Sequence, residues 1–233
     1  MTLETGFDVA VEPEDRASAP VVPTGEAIVS EPAAVASQTA VPRIALVGTP
    51  NCGKTALFNA LTGARQKVAN YAGVTVERKE GPVVSADGWR ARVVDLPGTY
   101  SLRARSPDEA VTRDVVLGRF PGEVPPDVII CVADATNLRL VLRLALELKS
   151  VGRPMVLALN MFDIAERQGW RIDVEGLSRQ LGVPVVTTVA TRKRGMDTLL
   201  DAVRTLSAQA PGTAAWREPS PAELRTAHRE AER

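Results

Sequence analysis

The feature that most constrains this chain is an eight-residue run, Gly48-Thr49-Pro50-Asn51-Cys52-Gly53-Lys54-Thr55, which fits the pattern G-x-x-x-x-G-K-[ST]. It follows a continuous apolar run, Ile44-Ala45-Leu46-Val47, of the kind found in buried strands. It precedes Thr55–Leu61, where apolar residues recur at helical spacing, and Gly63 is a suitable helix stop. Strand, glycine-rich turn and helix in that order make a phosphate cradle. Gly48 and Gly53 let the backbone turn and bring its N–H groups around the α and β phosphates. The helix start, with Cys52 before it and Ala56 in its first turn, adds its dipole and free N–H groups. Lys54 can reach the β and γ phosphates, and Thr55 offers a hydroxyl to Mg²⁺.

Further along, strand patterns alternate with helix patterns. Val74–Val84 and Trp89–Val94 read as a strand pair joined at Asp87-Gly88. Helices are expected at Pro107–Leu117, Leu138–Lys149, Val174–Leu181 and Met196–Leu206, and strands at Asp127–Ala133, Met155–Leu159 and Pro184–Val189. The pattern predicts an α/β fold: a mostly parallel, six-stranded, doubly wound sheet with one antiparallel strand and helices on both faces. There is no internal repeat.

The remaining composition excludes several classes. The longest apolar run, Val128–Ala133, has six residues, against the roughly 18 a membrane helix needs, so no direct membrane insertion is expected. Two cysteines make no disulfide scaffold, and a single histidine, His228, excludes a multi-histidine metal site. An acidic start without a positive leader gives no sign of a secretory signal, and a reduced, cytoplasmic setting is expected. The 28 basic and 28 acidic residues balance only overall. Residues 1–42 hold seven acids and one base among scattered prolines, a net −6, which leaves +6 on the rest. We read 1–42 as a disordered acidic Pro/Ala-rich tail, 43–207 as one domain, and 208–233 as a linker with a short helical stub. The arginines around residues 103–119 and 192–194 suit a solvated face, and no nucleic-acid partner is expected.

Two shorter motifs sit after strands. Asp95-Leu96-Pro97-Gly98 follows Ala91–Val94, where Asp95 can hold Mg²⁺ and Gly98 can give its N–H to a γ phosphate. Asn160-Met161-Phe162-Asp163 follows Met155–Leu159. The Asp163 carboxylate can accept the N1–H and exocyclic amine of guanine, a donor pair adenine lacks, and Asn160 can tie this loop to the cradle. A helix N-cap is the structural reading of Asp163.

With these residues in place, the chain resembles TRAFAC-class P-loop GTPases with a Ras-like G domain, and most closely the N-terminal G domain of the ferrous-iron transporter B (FeoB) family. The resemblance rests on residues 48–55, Asn70-Tyr71-Ala72-Gly73-Val74-Thr75-Val76-Glu77, Asp95-Leu96-Pro97-Gly98-Thr99-Tyr100-Ser101-Leu102 and Asn160–Asp163, across about 43–206. It implies that Thr75 completes the Mg²⁺ shell with Thr55 and Asp95, and that Asn51 ligates an activating K⁺ helped by carbonyls near Ala69–Tyr71. It implies that Ala190 and Thr191 belong to the last guanine-contacting loop. Lys54, Thr75, Gly98 and Asn51 then carry catalysis.

Two departures stand out. Thr99 replaces the glutamine that orients water, so hydrolysis should be slow; Asp108 and Glu109 are substitutes for that task or simply helix N-terminal acids. Met161 replaces the lysine that packs over the base. The implied function is a GTP/GDP switch that regulates ferrous-iron transport at the cytoplasmic face of the bacterial inner membrane, beside a membrane-embedded transporter portion in cis or trans. The alternatives are a stand-alone ribosome- or RNA-associated GTPase and a nucleotide-sensing module without useful turnover. About 27 residues follow Leu206, too few for the family's helical domain or its pore, so a fragment or a free-standing relative is expected.

Overall fold

The computed structural model describes residues 41–209. The readings of 1–42 and 208–233 therefore lie, apart from residues 41–42 and 208–209, outside the described residues. Seven strands form one sheet: β1 (Arg43–Gly48), β2 (Lys67–Asn70), β3 (Glu77–Val84), β4 (Arg90–Asp95), β5 (Val128–Asp134), β6 (Met155–Asn160) and β7 (Val185–Thr187). Their order is β2-β3-β4-β1-β5-β6-β7. The pairs β1–β4, β1–β5, β5–β6 and β6–β7 are parallel, whereas β3 runs antiparallel to both of its neighbours. The sheet has one strand more than the six expected. The extra strand is β2, whose four residues are all exposed and show no apolar alternation. Without a buried face, a strand leaves no period-2 trace in sequence. Strand β3 also starts three residues later than predicted, because Tyr71–Val76 closes a turn with Tyr71 N–H donating to Val76 O at 2.9 Å.

Among the described residues six α-helices cover the sheet: α1 (Lys54–Thr62), α2 (Pro107–Val116), α3 (Leu138–Ser150), α4 (Phe162–Arg167), α5 (Val174–Leu181) and α6 (Met196–Ala208). Leu57, Phe58 and Leu61 of α1 pack with Leu199, Leu200 and Val203 of α6 against one face. Val111 and Val115 of α2, Val141, Leu144 and Leu148 of α3 and Leu181 of α5 cover the other. Each fully buried leucine contributes about 1.5–3 kcal/mol, so helix spacing in the sequence translates directly into two cores. The short α4, absent from the sequence reading, has one buried residue, Ala165, and therefore no stripe to detect.

The central strand β1 separates the two halves of the chain's path. After β1 the chain builds β2–β4 on one side, then crosses to β5 on the other. In open α/β sheets, ligands bind outside the C-terminal strand ends at such a reversal, here between β1 and β5. Gly48, Asp95 and Asn160 each end a strand of this sheet.

Candidate nucleotide-binding site

The loop Thr49–Gly53 links β1 to α1 through two left-handed residues, Asn51 (φ 64°) and Gly53 (φ 82°). Both glycines are required by close neighbours, and Gly53 by its left-handed turn as well. A Cβ on Gly48 would lie 2.6 Å from Val132 O and 2.8 Å from Cys52 Sγ, and one on Gly53 would overlap Asn160 Nδ2. Helix α1 has no side-chain cap and no acid in its first turn. The N–H groups of Lys54, Thr55 and Ala56 at its start are therefore left for an anion, and the helix's own first turn holds no acid to repel one.

Asp95 anchors the other side. Its carboxylate is 7% exposed and bridges the cradle: Lys54 Nζ donates to Oδ1 at 2.7 Å and Thr55 Oγ1 to Oδ2 at 3.2 Å. A hydroxyl and a carboxylate this close form a hard-oxygen pair of the kind that suits a small divalent cation. No cluster of three or more His, Cys, Asp or Glu exists among the described residues. A cation here would thus share its shell with phosphate rather than sit in an all-protein cage. Gly98 lies directly over the loop, since a Cβ on it would stand 3.0 Å from Pro50 Cγ.

Asn160 joins the remaining parts. Its Nδ2 donates to Cys52 O at 3.1 Å, and its Oδ1 accepts from Ala190 N–H at 3.1 Å and Thr188 Oγ1 at 3.4 Å. The side chain is 2% exposed, so these bonds are shielded from water. Met161 follows in the left-handed region (φ 58°) and turns the chain into α4. Asp163 in the first turn of α4 is reached by Arg167 Nη2 at 3.2 Å and by Arg192 Nη2 at 4.0 Å. It does not cap α4, a position held by Met161.

The site thus brings together Gly48, Cys52, Gly53, Lys54, Thr55 and Ala56 with Asp95 and Gly98, and joins them through Asn160 to Ala190. Ala190 and Thr191 lie in a 3-10 turn, Ala190–Arg192. Ala190 N–H is committed to Asn160 Oδ1 at 3.1 Å. Thr75 is exposed on the loop between β2 and β3, and Asn51 is exposed on the cradle. Neither side chain hydrogen-bonds to another described residue. Of the carbonyls of Ala69–Tyr71, Tyr71 O accepts from Val74 N–H at 3.2 Å.

Thr99 is wholly buried, and its hydroxyl donates to Ser101 O at 2.7 Å. Its hydroxyl is thus occupied within the chain and shielded from solvent. Glu109 accepts from Arg105 N–H at 2.8 Å, while its own N–H donates to Ser106 Oγ at 3.2 Å, a capping arrangement at the start of α2. Burial pushes the Cys52 thiol up, against the lowering pull of the Lys54 ammonium, and the wholly buried Cys131 is pushed up further. Both are poor nucleophiles.

Sequence reasoning missed Glu147 and Thr188. Glu147 was hidden inside the apolar stripe of α3. A wheel placing Val141, Leu144, Ala145 and Leu148 inward would have flagged a carboxylate on the same side.

Sheet order and cradle together define a P-loop nucleotide-binding domain of the G-domain type. Residues 42–203 match the family model described as Ferrous iron transport protein B, and the chain belongs to that family. It is 51% identical over 156 residues to the Fe(2+) transporter FeoB of Salmonella typhimurium, an alignment covering 67% of this chain and 20% of that protein. The chain thus spans about a fifth of the length of the curated relatives it matches. Among solved structures it is similar to a GDP-bound NFeoB mutant of S. thermophilus, with 42% identity and a TM-score of 0.66 over 74% of this chain and 65% of that one. It is also similar to the cytosolic domain of the T. maritima FeoB iron transporter in GMPPNP form, with 39% identity and a TM-score of 0.68 over 76% and 67%. No helix among the described residues is long and apolar enough to cross a membrane.

Proposed function

We propose that this domain binds GTP and GDP, hydrolyses GTP slowly, and serves as the nucleotide switch of a ferrous-iron transporter whose membrane-embedded portion lies outside the residues matched. The observation that carries this reading is the double bridge of Asn160, to Cys52 O in the phosphate loop and to Ala190 N–H in the last loop. It ties the loop that would hold phosphate to the loop that would hold the base, beside which Asp163 would supply the acceptor pair that selects guanine. The relatives bound to GDP and in GMPPNP form support it.

In this reading Lys54 leaves Asp95 and moves to the β and γ phosphates. The loop amides and the start of α1 hold the same oxygens. The freed Asp95 carboxylate, Thr55 hydroxyl and, from the first switch, Thr75 are the groups that would hold Mg²⁺, whose chemistry is to neutralise charge on the phosphates. Asn51 would hold K⁺, helped by carbonyls of Ala69–Tyr71. Gly98 N–H meets the γ phosphate, and its release frees both switches. Water attacks in line without a side chain to orient it, because Thr99 is turned inward and Glu109 is committed to capping. The same inward Thr99 is the one observation favouring a sensor with little turnover.

The test is competition. GTP and GDP should displace a fluorescent guanine nucleotide, and ATP should not. Equal displacement by ATP sinks the guanine assignment. Asp163→Asn should weaken GTP roughly 100-fold, as expected for losing charge-assisted bonds worth about 3 kcal/mol, and should improve binding of xanthosine triphosphate. Phosphate release distinguishes a slow enzyme from a sensor.

A further inference from the structure

The segment after Asp95 is stapled along its length. Leu96 N–H donates to Leu46 O at 3.2 Å, Thr112 Oγ1 to Pro97 O at 2.8 Å, and Thr99 N–H to Gly48 O at 3.0 Å. The staples end on Glu147 of α3, which is 3% exposed. Its carboxylate accepts from Ser101 Oγ at 3.0 and 2.8 Å and from Leu102 N–H at 2.6 Å. Its only cationic partner among the described residues is Arg143 of the same helix, at 3.1 Å and half exposed. A leucine would serve the core at this position. A buried carboxylate is tolerated only if its oxygens are satisfied, and two of the three groups that satisfy it belong to the loop carrying Gly98.

We propose that Glu147 is a positioning residue for the second switch: it holds Ser101 and Leu102 so that Gly98 stays over the phosphate loop, and thereby sets the preference for triphosphate over diphosphate. The inference rests on the guanine-switch reading. Gly98 lies between two fixed points, Thr99 on Gly48 O on one side and Pro97 on Thr112 on the other, with Glu147 closing the run three residues on. Withdrawing the loop would strip a buried carboxylate of two donors. Arg103 N–H also donates to Ser101 Oγ at 3.0 Å, so the held run extends through Arg103, and Gly98 is presented to the γ phosphate rather than searching for it. Diphosphate does not reach Gly98, so its binding does not depend on the anchor.

The experiment measures equilibrium binding of mant-GDP and mant-GMPPNP to wild type, Glu147→Ala, Glu147→Gln and Ser101→Ala, with thermal unfolding as a check of folding. Glu147→Ala should weaken mant-GMPPNP about 10-fold and leave mant-GDP within about 2-fold. Ser101→Ala should give a smaller shift in the same direction, and Glu147→Gln should fall between, since an amide keeps one acceptor. A variant carrying both Glu147→Ala and Ser101→Ala should match Glu147→Ala alone. A purely structural glutamate would weaken both nucleotides together. Equal loss of the two, or an unchanged ratio, overturns the proposal. If Glu147→Ala does not fold, Ser101→Ala and Glu147→Gln decide by the same ratio. A wild type that binds neither nucleotide overturns the guanine-switch reading and this inference together; one that binds both with a ratio the variants leave untouched overturns the anchor alone.

Discussion

Asn160 Nδ2 stands so close to the α-carbon of Gly53 that a methyl group there would overlap it, while the same amide donates to Cys52 O at 3.1 Å. The loop that would hold phosphates and the loop that would hold the base are thus pressed together without room for a side chain. Gly53→Ala should therefore fail twice. It places a Cβ at φ 82° and displaces Asn160. A left-handed non-glycine residue alone costs about 1 kcal/mol, and an orphaned buried amide adds about 1–3 kcal/mol. Urea unfolding should show a loss of roughly 2–4 kcal/mol, with nucleotide binding abolished. A variant of native stability that still binds GTP would show that the loops separate more easily than their contact indicates.

Tyr71 gives a prediction of opposite character. It is 1% exposed and stacks edge-on with Phe120 at 5.3 Å, yet its hydroxyl has no hydrogen-bond partner among the described residues. Burial, with the Glu123 carboxylate next, pushes the phenol far up. The hydroxyl is desolvated without compensation, so Tyr71→Phe should be neutral or stabilising by up to about 1 kcal/mol. Tyr71→Ala should cost about 3–5 kcal/mol through the cavity it leaves. Denaturant midpoints for the two variants check both signs. A clear loss in Tyr71→Phe would reveal a partner for the hydroxyl.

The contrast between these residues explains how much was legible in sequence. The cradle was readable because its chemistry demands fixed residue types at fixed spacing, from Gly48 to Thr55. The central strands were readable because β1, β5 and β6 are buried on both faces and so appear as unbroken apolar runs. The edge strand β2 and the six-residue α4 were not, since neither buries a face that periodicity could report. Glu147 was invisible for another reason. Its meaning comes from Ser101 and Leu102, some 45 residues earlier in the chain, and no local pattern encodes that meeting. Ala190 shows the same limit: its loop was identifiable, but only the fold shows that its N–H is taken by Asn160.

The two thiols supply a pH dependence. Cys52 and Cys131 are buried, and burial raises both. Below pH ~8.5, the free-thiol value, folded and unfolded chains both hold these protons and stability is unaffected. Above it the unfolded thiols ionise and the folded ones resist, so stability falls as pH rises. Melting temperature should decline between pH 8.5 and 10, and Cys52→Ala with Cys131→Ala should flatten part of that decline. Iodoacetamide at pH 8 should label the native protein far more slowly than the urea-unfolded chain. Rapid labelling of native Cys52 would show that the phosphate loop opens to solvent.

Asn51 permits a test of the cation proposal that separates ligand from strain. It sits at φ 64° with an exposed side chain. Asparagine tolerates that conformation better than alanine, so Asn51→Ala removes an amide and adds strain at once. Asn51→Gly removes the amide and keeps the backbone at ease. If Asn51 holds K⁺, GTP hydrolysis in wild type should be roughly 10-fold or more faster in K⁺ than in Na⁺, in line with losing one group that stabilises developing charge. Both variants should then lose the K⁺ response and hydrolyse at the Na⁺ rate. If Asn51 only shapes the loop, Asn51→Gly should retain the response while Asn51→Ala loses it. A wild type equally slow in both cations would remove K⁺ from the mechanism.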